Sequence, residues 1–190
     1  MSDAFHMLGI PSTLRANSFN TGLLRAAQDV APEGVTIEIF PIHTLPFYDQ
    51  DLEGSDSEPA SVREFREAIR RADALLITNA EYSHSVTGVL KNALDWASRP
   101  LPNHPLKFKS AALISATGGI SGGIRSKLAI LPVLEATETF LMMRPELMIG
   151  SAREKFDTDG NLKDDALRAR LGQVVAALVD FSRQMRAIAS

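Results

Sequence analysis

The chain contains no cysteine among its 190 residues. Disulfides, thiolate zinc sites, iron–sulfur clusters and a cysteine nucleophile are therefore excluded. It has one tryptophan and four histidines, and the histidines (His6, His43, His84, His104) are too scattered for a local metal motif. Positive charge is not in excess: 20 Lys and Arg stand against 23 Asp and Glu, a net charge of −3. That balance argues against a broad nucleic-acid surface. No Lys or Arg precedes Arg15, so the basic region of a secretory signal is missing. No apolar run approaches the ~20 residues of a membrane span. A cytoplasmic chain with neither membrane nor nucleic-acid partners is expected. Repeats and low-complexity blocks are also lacking. The remainder is ordinary for a globular protein, 45% hydrophobic and 23% charged. One domain over residues 1–190 is expected.

Short apolar runs alternate with helical patterns. Ala4–Gly9 is mostly apolar, and Val35–Phe40 has the alternation and β-branching of a strand. Ala74–Thr78 and Ala111–Ser115 are continuous apolar runs, as in strands covered on both faces. Phe140–Gly150 is a fifth candidate, in which Pro145 points to an edge strand or an internal break. Helix signals lie between them at Ser18–Val30, Pro59–Arg71, Gly88–Ser98 and Gly123–Thr137, the last with Pro132 as an expected kink. A final amphipathic pattern runs from Leu167 to Met185. Five βα units imply an α/β fold, a parallel sheet with helices on both faces. For five strands the leading candidate is a flavodoxin-like three-layer arrangement with strand order 2-1-3-4-5. That order brings the loops after the first, third and fourth strands to one edge, where ligands bind.

The first of these loops carries Ser12, Thr13, Arg15, Asn17, Ser18 and Asn20 before a helix start. Hydroxyls, backbone N–H groups and a guanidinium at that place suit one phosphate monoester. There is neither a Walker lysine nor a G-x-G-x-x-G run, and an ordinary N-cap at Ser18 beside a solvated Arg15 is the plainer alternative. The second loop opens Ala80-Glu81-Tyr82-Ser83-His84-Ser85 and leads into Gly88-Val89-Leu90-Lys91-Asn92-Ala93-Leu94-Asp95-Trp96. The third, Ser115-Ala116-Thr117-Gly118-Gly119-Ile120-Ser121-Gly122-Gly123, is rich in glycine, which lets a backbone approach a planar ring.

The second loop is similar to the P-E-Y-N-x-S-x-P-G-x-L-K-N-A-x-D-W signature of the NADPH-dependent FMN reductase family. The match covers Glu81, Tyr82, Ser85, Gly88, Leu90 to Ala93, Asp95 and Trp96. The first loop resembles that family's G-S-L-R-x-x-S-x-N phosphate loop through Leu14, Arg15, Ser18 and Asn20. The resemblance implies FMN, with Thr13, Arg15, Ser18 and Asn20 at its phosphate and Ala80, Glu81, Tyr82 and Ser83 along its ring. Ser115, Thr117, Gly118 and Gly119 are implied at the pyrimidine end. It further implies NADPH or NADH as co-substrate, a quinone or another small-molecule electron acceptor, ping-pong turnover and a homodimer or homotetramer. Arg125 and Glu146 are candidates for pairing between subunits. Trp96, Lys91, Asn92 and Asp95 are expected to be structural.

The chain departs from the family pattern at Pro11 and Ser12, where Ser and Gly are usual, and at Ala80, Ser83, Thr87 and Thr117, where Pro, Asn, Pro and Pro are usual. Three other readings remain beside the reductase. Gly119-Ile120-Ser121-Gly122-Gly123 matches the G-x-S-x-G hydrolase elbow, but such an enzyme needs its histidine after the serine, and every histidine here precedes Ser121. A flavodoxin-type electron carrier would share the fold, though such carriers tend to be strongly acidic. A flavin-binding member without reductase activity would share the motifs. Asp157 to Asn161 is expected to be a tight turn and not a calcium loop, and the acidic run Asp49–Glu58 a solvated loop.

Overall fold

The computed structural model describes residues 4–189, so Met1–Asp3, the start of the segment read for a secretory signal, lie outside the described residues. Strands β1 (Phe5–Ile10), β2 (Val35–Ile39) and β3 (Ala74–Thr78) alternate with helices α1 (Phe19–Asp29) and α2 (Ala60–Arg71). A short hairpin, β4 (Glu81–Tyr82) and β5 (Ser85–Val86), precedes α3 (Gly88–Ala97). The chain continues through β6 (Ser110–Ala116), α4 (Ile124–Ala136), β7 (Phe140–Ile149) and α5 (Asp165–Ala189). The parallel sheet has order β2-β1-β3-β6-β7, which is the expected 2-1-3-4-5 once the hairpin is set aside. Boundaries fall within one residue of those expected from the sequence, except that α5 begins two residues before Leu167 and ends four after Met185.

Both faces of the sheet are buried, which is why its central strands read as unbroken apolar runs. Met7, Leu76 and Ile114 face one core with Leu24 of α1 and Leu171 and Leu178 of α5. Leu8, Leu75, Ile77 and Leu113 face the other, with Phe65 of α2, Leu94 of α3 and Ile130 of α4. Side chains alternate across a strand, so neighbours in sequence serve opposite layers. Register keeps the carboxyl ends of β1, β3 and β6 level: Ile10 pairs with Ile77, and Thr78 with Ile114.

The last strand is an edge strand and is also broken. Ala112 pairs with Met142 but Ile114 with Leu147, so Met143–Glu146, including Pro145, leave the ladder. A proline without N–H is tolerated there and not in the sheet centre. One expectation needs correction. The acidic run ends in a buried residue: Glu58 pairs with Arg66 of α2, which donates from Nε to Trp96 O at 3.0 Å. A carboxylate buried with a guanidinium is not a solvated loop residue. Asn92 and Trp96 hold the same long connection in place, both donating to Pro46 O, at 2.8 and 2.9 Å. These two positions are structural, as expected.

Candidate active site

The three loops meet over β1, β3 and β6, and a buried serine hydroxyl joins the first two. Ser12 N donates to Thr78 Oγ1 at 2.9 Å, and Ser12 Oγ accepts from Ala80 N at 2.8 Å. Ser12 O accepts from Thr87 Oγ1 at 2.7 Å, and the same Thr87 hydroxyl caps α3 by accepting from Leu90 N. Two departures from the family pattern, Ser12 and Thr87, are therefore bonded to each other. Asn20 joins the first loop to the third: its Nδ2 donates to Ala116 O at 2.8 Å, and its Oδ1 accepts from Ala116 N at 3.1 Å.

Ser18 is the N-cap of α1, its Oγ accepting from Asn20 N and Thr21 N and from Thr13 Oγ1 at 2.7 Å. The caps of α1 leave a run of free donors ahead of them. The N–H groups of Thr13, Leu14, Arg15, Ala16 and Asn17 make no hydrogen bond among the described residues. Arg15 is exposed, with its Cζ 5.2 Å from the Phe19 ring centroid and its Nη2 donating to Asn17 O at 3.2 Å. The cradle is braced from outside by the turn at Asp157–Asn161. Asn17 Nδ2 donates to Thr158 O, and Gly160, at φ +78°, lies so close that a Cβ there would stand 2.9 Å from Asn17 O. The expected tight turn is present and packs on the first loop.

In the second loop, β4 and β5 pair antiparallel around Ser83 and His84, both left-handed at φ 51° and 62°. That is the backbone of a type I′ turn without its usual Asn and Gly. Tyr82 is 57% exposed at the cleft. Glu81 also borders it and anchors α4, whose N-cap Gly123 supplies no side-chain oxygen. Its carboxylate accepts from Arg125 N at 3.0 Å, Ser126 N at 3.4 Å and Arg125 Nη1 at 3.3 Å. Burial pushes the Glu81 carboxyl up, but the N–H groups of Ser126 and Arg125 and the Arg125 guanidinium together outweigh it and hold the group below its ordinary range. Within the chain Arg125 thus pairs with Glu81, while Glu146 pairs with Lys127 and Arg144.

In the third loop, Gly118 borders the cleft and a Cβ at Gly119 would meet nothing within 4 Å. Ser115 does not reach the cleft; its buried Oγ has no partner and lies beneath Gly123. The cleft itself is about 160 Å³ and is bordered by Thr13, Arg15, Ser18, Asn20, Ala80, Glu81, Tyr82, Thr117 and Gly118 from the expected set. Ser83, Ser115 and Gly119 stand outside that border. Phe19, Ala116 and Arg153 complete it and were not expected. Phe19 follows the Ser18 cap and could have been found from it; Arg153 lies beyond β7 with no motif around it. Five free N–H donors beside a guanidinium, then open space over glycines, fit a phosphate monoester carrying a flat ring.

The Glu81 anchor has a measurable pH signature. A carboxylate with a lowered folded pKa stabilises fully above its unfolded value of about 4.5 and loses that contribution as pH falls through the folded value. Urea midpoints of the parent should therefore exceed those of Glu81→Gln at pH 7, and the gap should close on titration below about pH 4.5. A gap that stays constant down to pH 3 would show that the charge of Glu81 does not anchor α4.

Comparison with known proteins agrees with this geometry. An NAD(P)H-dependent FMN reductase of Pseudomonas aeruginosa is 41% identical over 186 residues, covering 98% of this chain and all of the relative. An NADPH:quinone oxidoreductase of Arabidopsis thaliana is 40% identical, covering 93% of this chain and 91% of the relative. Among solved structures, the flavoenzyme NAD(P)H:(acceptor) oxidoreductase FerB of Paracoccus denitrificans superposes with a TM-score of 0.85 at 30% identity, covering 95% of this chain and 98% of that one. Residues 5–154 match the family model of NADPH-dependent FMN reductases, and the chain belongs to that family.

Proposed function

We propose that this chain is an NAD(P)H-dependent FMN oxidoreductase that reduces quinones or other small acceptors. The observation that carries the reading is the cleft bordered by Thr13, Arg15 and Gly118, whose first loop keeps the N–H groups of Thr13 to Asn17 free among the described residues. Bound FMN would supply the redox chemistry that links hydride from NAD(P)H to an electron acceptor. The work of the chain itself is placement and electrostatics. The first-loop N–H groups and Arg15 would hold the phosphate, with the α1 N-terminus behind them. Ala80 and Tyr82 would border one side of the ring, and Thr117, Gly118 and Gly119 the other. Ser12 and Asn20 position these loops without needing to touch the cofactor. No side-chain acid or base is required for hydride transfer. The same reading places the chain in the cytoplasm, where NAD(P)H is available; among the described residues no helix is long and apolar enough to cross a membrane.

One phosphate cradle favours FMN over riboflavin. Purified protein should show an oxidised-flavin visible spectrum, and the flavin-free chain should bind FMN more tightly than riboflavin. A charge-assisted phosphate contact of about 1.5–3 kcal/mol corresponds to roughly ten- to a hundredfold in Kd. Equal affinities would remove the phosphate assignment, and failure of the flavin-loaded protein to oxidise NAD(P)H directly would favour an electron carrier.

One exposed crevice leaves NAD(P)H and acceptor to use it in turn. Initial rates at several fixed acceptor concentrations should give parallel double-reciprocal lines. Intersecting lines with a trapped ternary complex would contradict ping-pong turnover.

The same reading includes a homodimer or homotetramer. Ile124, Leu128 and Pro132 stand at i, i+4 and i+8 on the outer face of α4, with Ile124 44% and Leu128 61% exposed, close to Ile120 at 93%. Burying that stripe against a second copy would remove apolar surface from water and narrow the cleft at Tyr82. Sedimentation equilibrium should give a multiple of the chain mass, and Leu128→Glu should lower it; a monomeric parent would refute the assembly.

A further inference from the structure

The cleft has a second cationic side chain, and it has no hydrogen-bond or ion-pair partner among the described residues. Arg153 stands on the short 3-10 turn Ala152–Glu154 that follows β7. Its backbone is fastened to the glycine loop: Ser151 N donates to Gly119 O and Ala152 N to Thr117 O, both at 2.9 Å. The side chain extends back over that loop, with Nε 3.9 Å from where a Cβ on Gly118 would stand. Arg153 makes no hydrogen bond or ion pair among the described residues, although Asp157 is close by on the same cavity wall. The Asp157 carboxylate is already occupied, accepting from Asp159 N, Asn161 N and Asn161 Nδ2. Arg15 is likewise unpaired with any carboxylate. The two arginines, with Phe19, border both the 160 Å³ cleft and an adjoining basin of about 310 Å³. Two guanidiniums on one cavity, matched by no acid among the described residues, call for an anion from outside the chain.

We propose that Arg153 and Arg15 form a two-guanidinium site for a phosphate monoester at the junction of cleft and basin. A phosphate monoester carries nearly two negative charges at neutral pH, and its oxygens match the planar fork of an arginine. The inference rests on the FMN-reductase reading for the two sources of that group: the 5′-phosphate of FMN and the 2′-phosphate of NADPH. Arg153 is a binding and specificity residue in this scheme. The second cation makes up for Pro11, which offers the first loop no N–H.

The test uses the full chain freed of flavin, as parent, Arg153→Ala and Arg153→Lys, titrated with FMN, riboflavin, NADPH and NADH. Arg153→Ala should raise the Kd of one ligand carrying the monoester (FMN or NADPH) by roughly ten- to a hundredfold and leave the counterpart lacking that monoester (riboflavin or NADH) unchanged. Loss confined to FMN assigns the flavin phosphate, and loss confined to NADPH assigns the 2′-phosphate. Arg153→Lys, which keeps the charge but not the fork, should retain part of the affinity. The thermal midpoint of the flavin-free Arg153→Ala chain should match the parent, since no intrachain hydrogen bond or ion pair among the described residues is removed. Equal weakening within both pairs, or no change in either, overturns the proposal. The parent alone decides the underlying reading: if it binds FMN and riboflavin alike, the first-loop phosphate assignment fails, whatever Arg153 does with NADPH.

Discussion

The site depends on the junction at Ser12. A parallel sheet of this order only brings three loops to one edge; it does not set their spacing. Ser12 does so for the first two, through its N–H to Thr78, its Oγ from Ala80 N and its carbonyl from Thr87. All four residues are buried, so these bonds replace water that cannot reach them. Losing one partner there would leave the others unsatisfied, which costs more than the bond itself contributes. The cradle of free N–H groups at Thr13–Asn17 begins one residue after this junction. Its shape follows from where Ser12 is held.

The third loop is tied in by a different device. Asn20 uses both ends of its amide on Ala116, so the first turn of α1 and the end of β6 move as one. The glycine loop is in turn fastened to the segment after β7 at Ser151 and Ala152. Gly150 permits that approach, because a Cβ there would stand 2.5 Å from Ile120 O. Through these links the edge strand, although broken at Pro145, still delivers Arg153 to the cleft.

What the sequence disclosed follows from which signals are local. Continuous apolar runs disclosed β3 and β6, and the Ser18 hydroxyl before a helical stripe disclosed the α1 cap. The hairpin at Glu81–Val86 was hidden because two-residue strands have no periodicity and Ser83-His84 lacks the residues that mark a type I′ turn. Glu58 was hidden inside an acidic run, since its partner Arg66 is a charged residue on α2 eight positions away that no local motif marks as buried. Ser12 and Thr87 looked like separate departures from a family pattern. Only their spatial contact at 2.7 Å makes them a matched pair. Arg153 was invisible because 138 positions of chain separate it from Arg15 and no spacing rule connects them.

Charge explains why composition gave no hint of an anion site. The chain is net negative at −3, yet the acids nearest the cleft are engaged within their own elements. The Glu81 carboxylate is bonded to the α4 amides and to Arg125, and that of Asp157 to the N–H groups of its own turn. Arg15 and Arg153 have no such compensation. Over a Debye length of about 8–10 Å at moderate salt, the local balance decides what a ligand meets, and the global sum does not. A mildly acidic protein thereby presents a cationic cleft. The positive field comes from leaving two guanidiniums unpaired, not from accumulating basic residues.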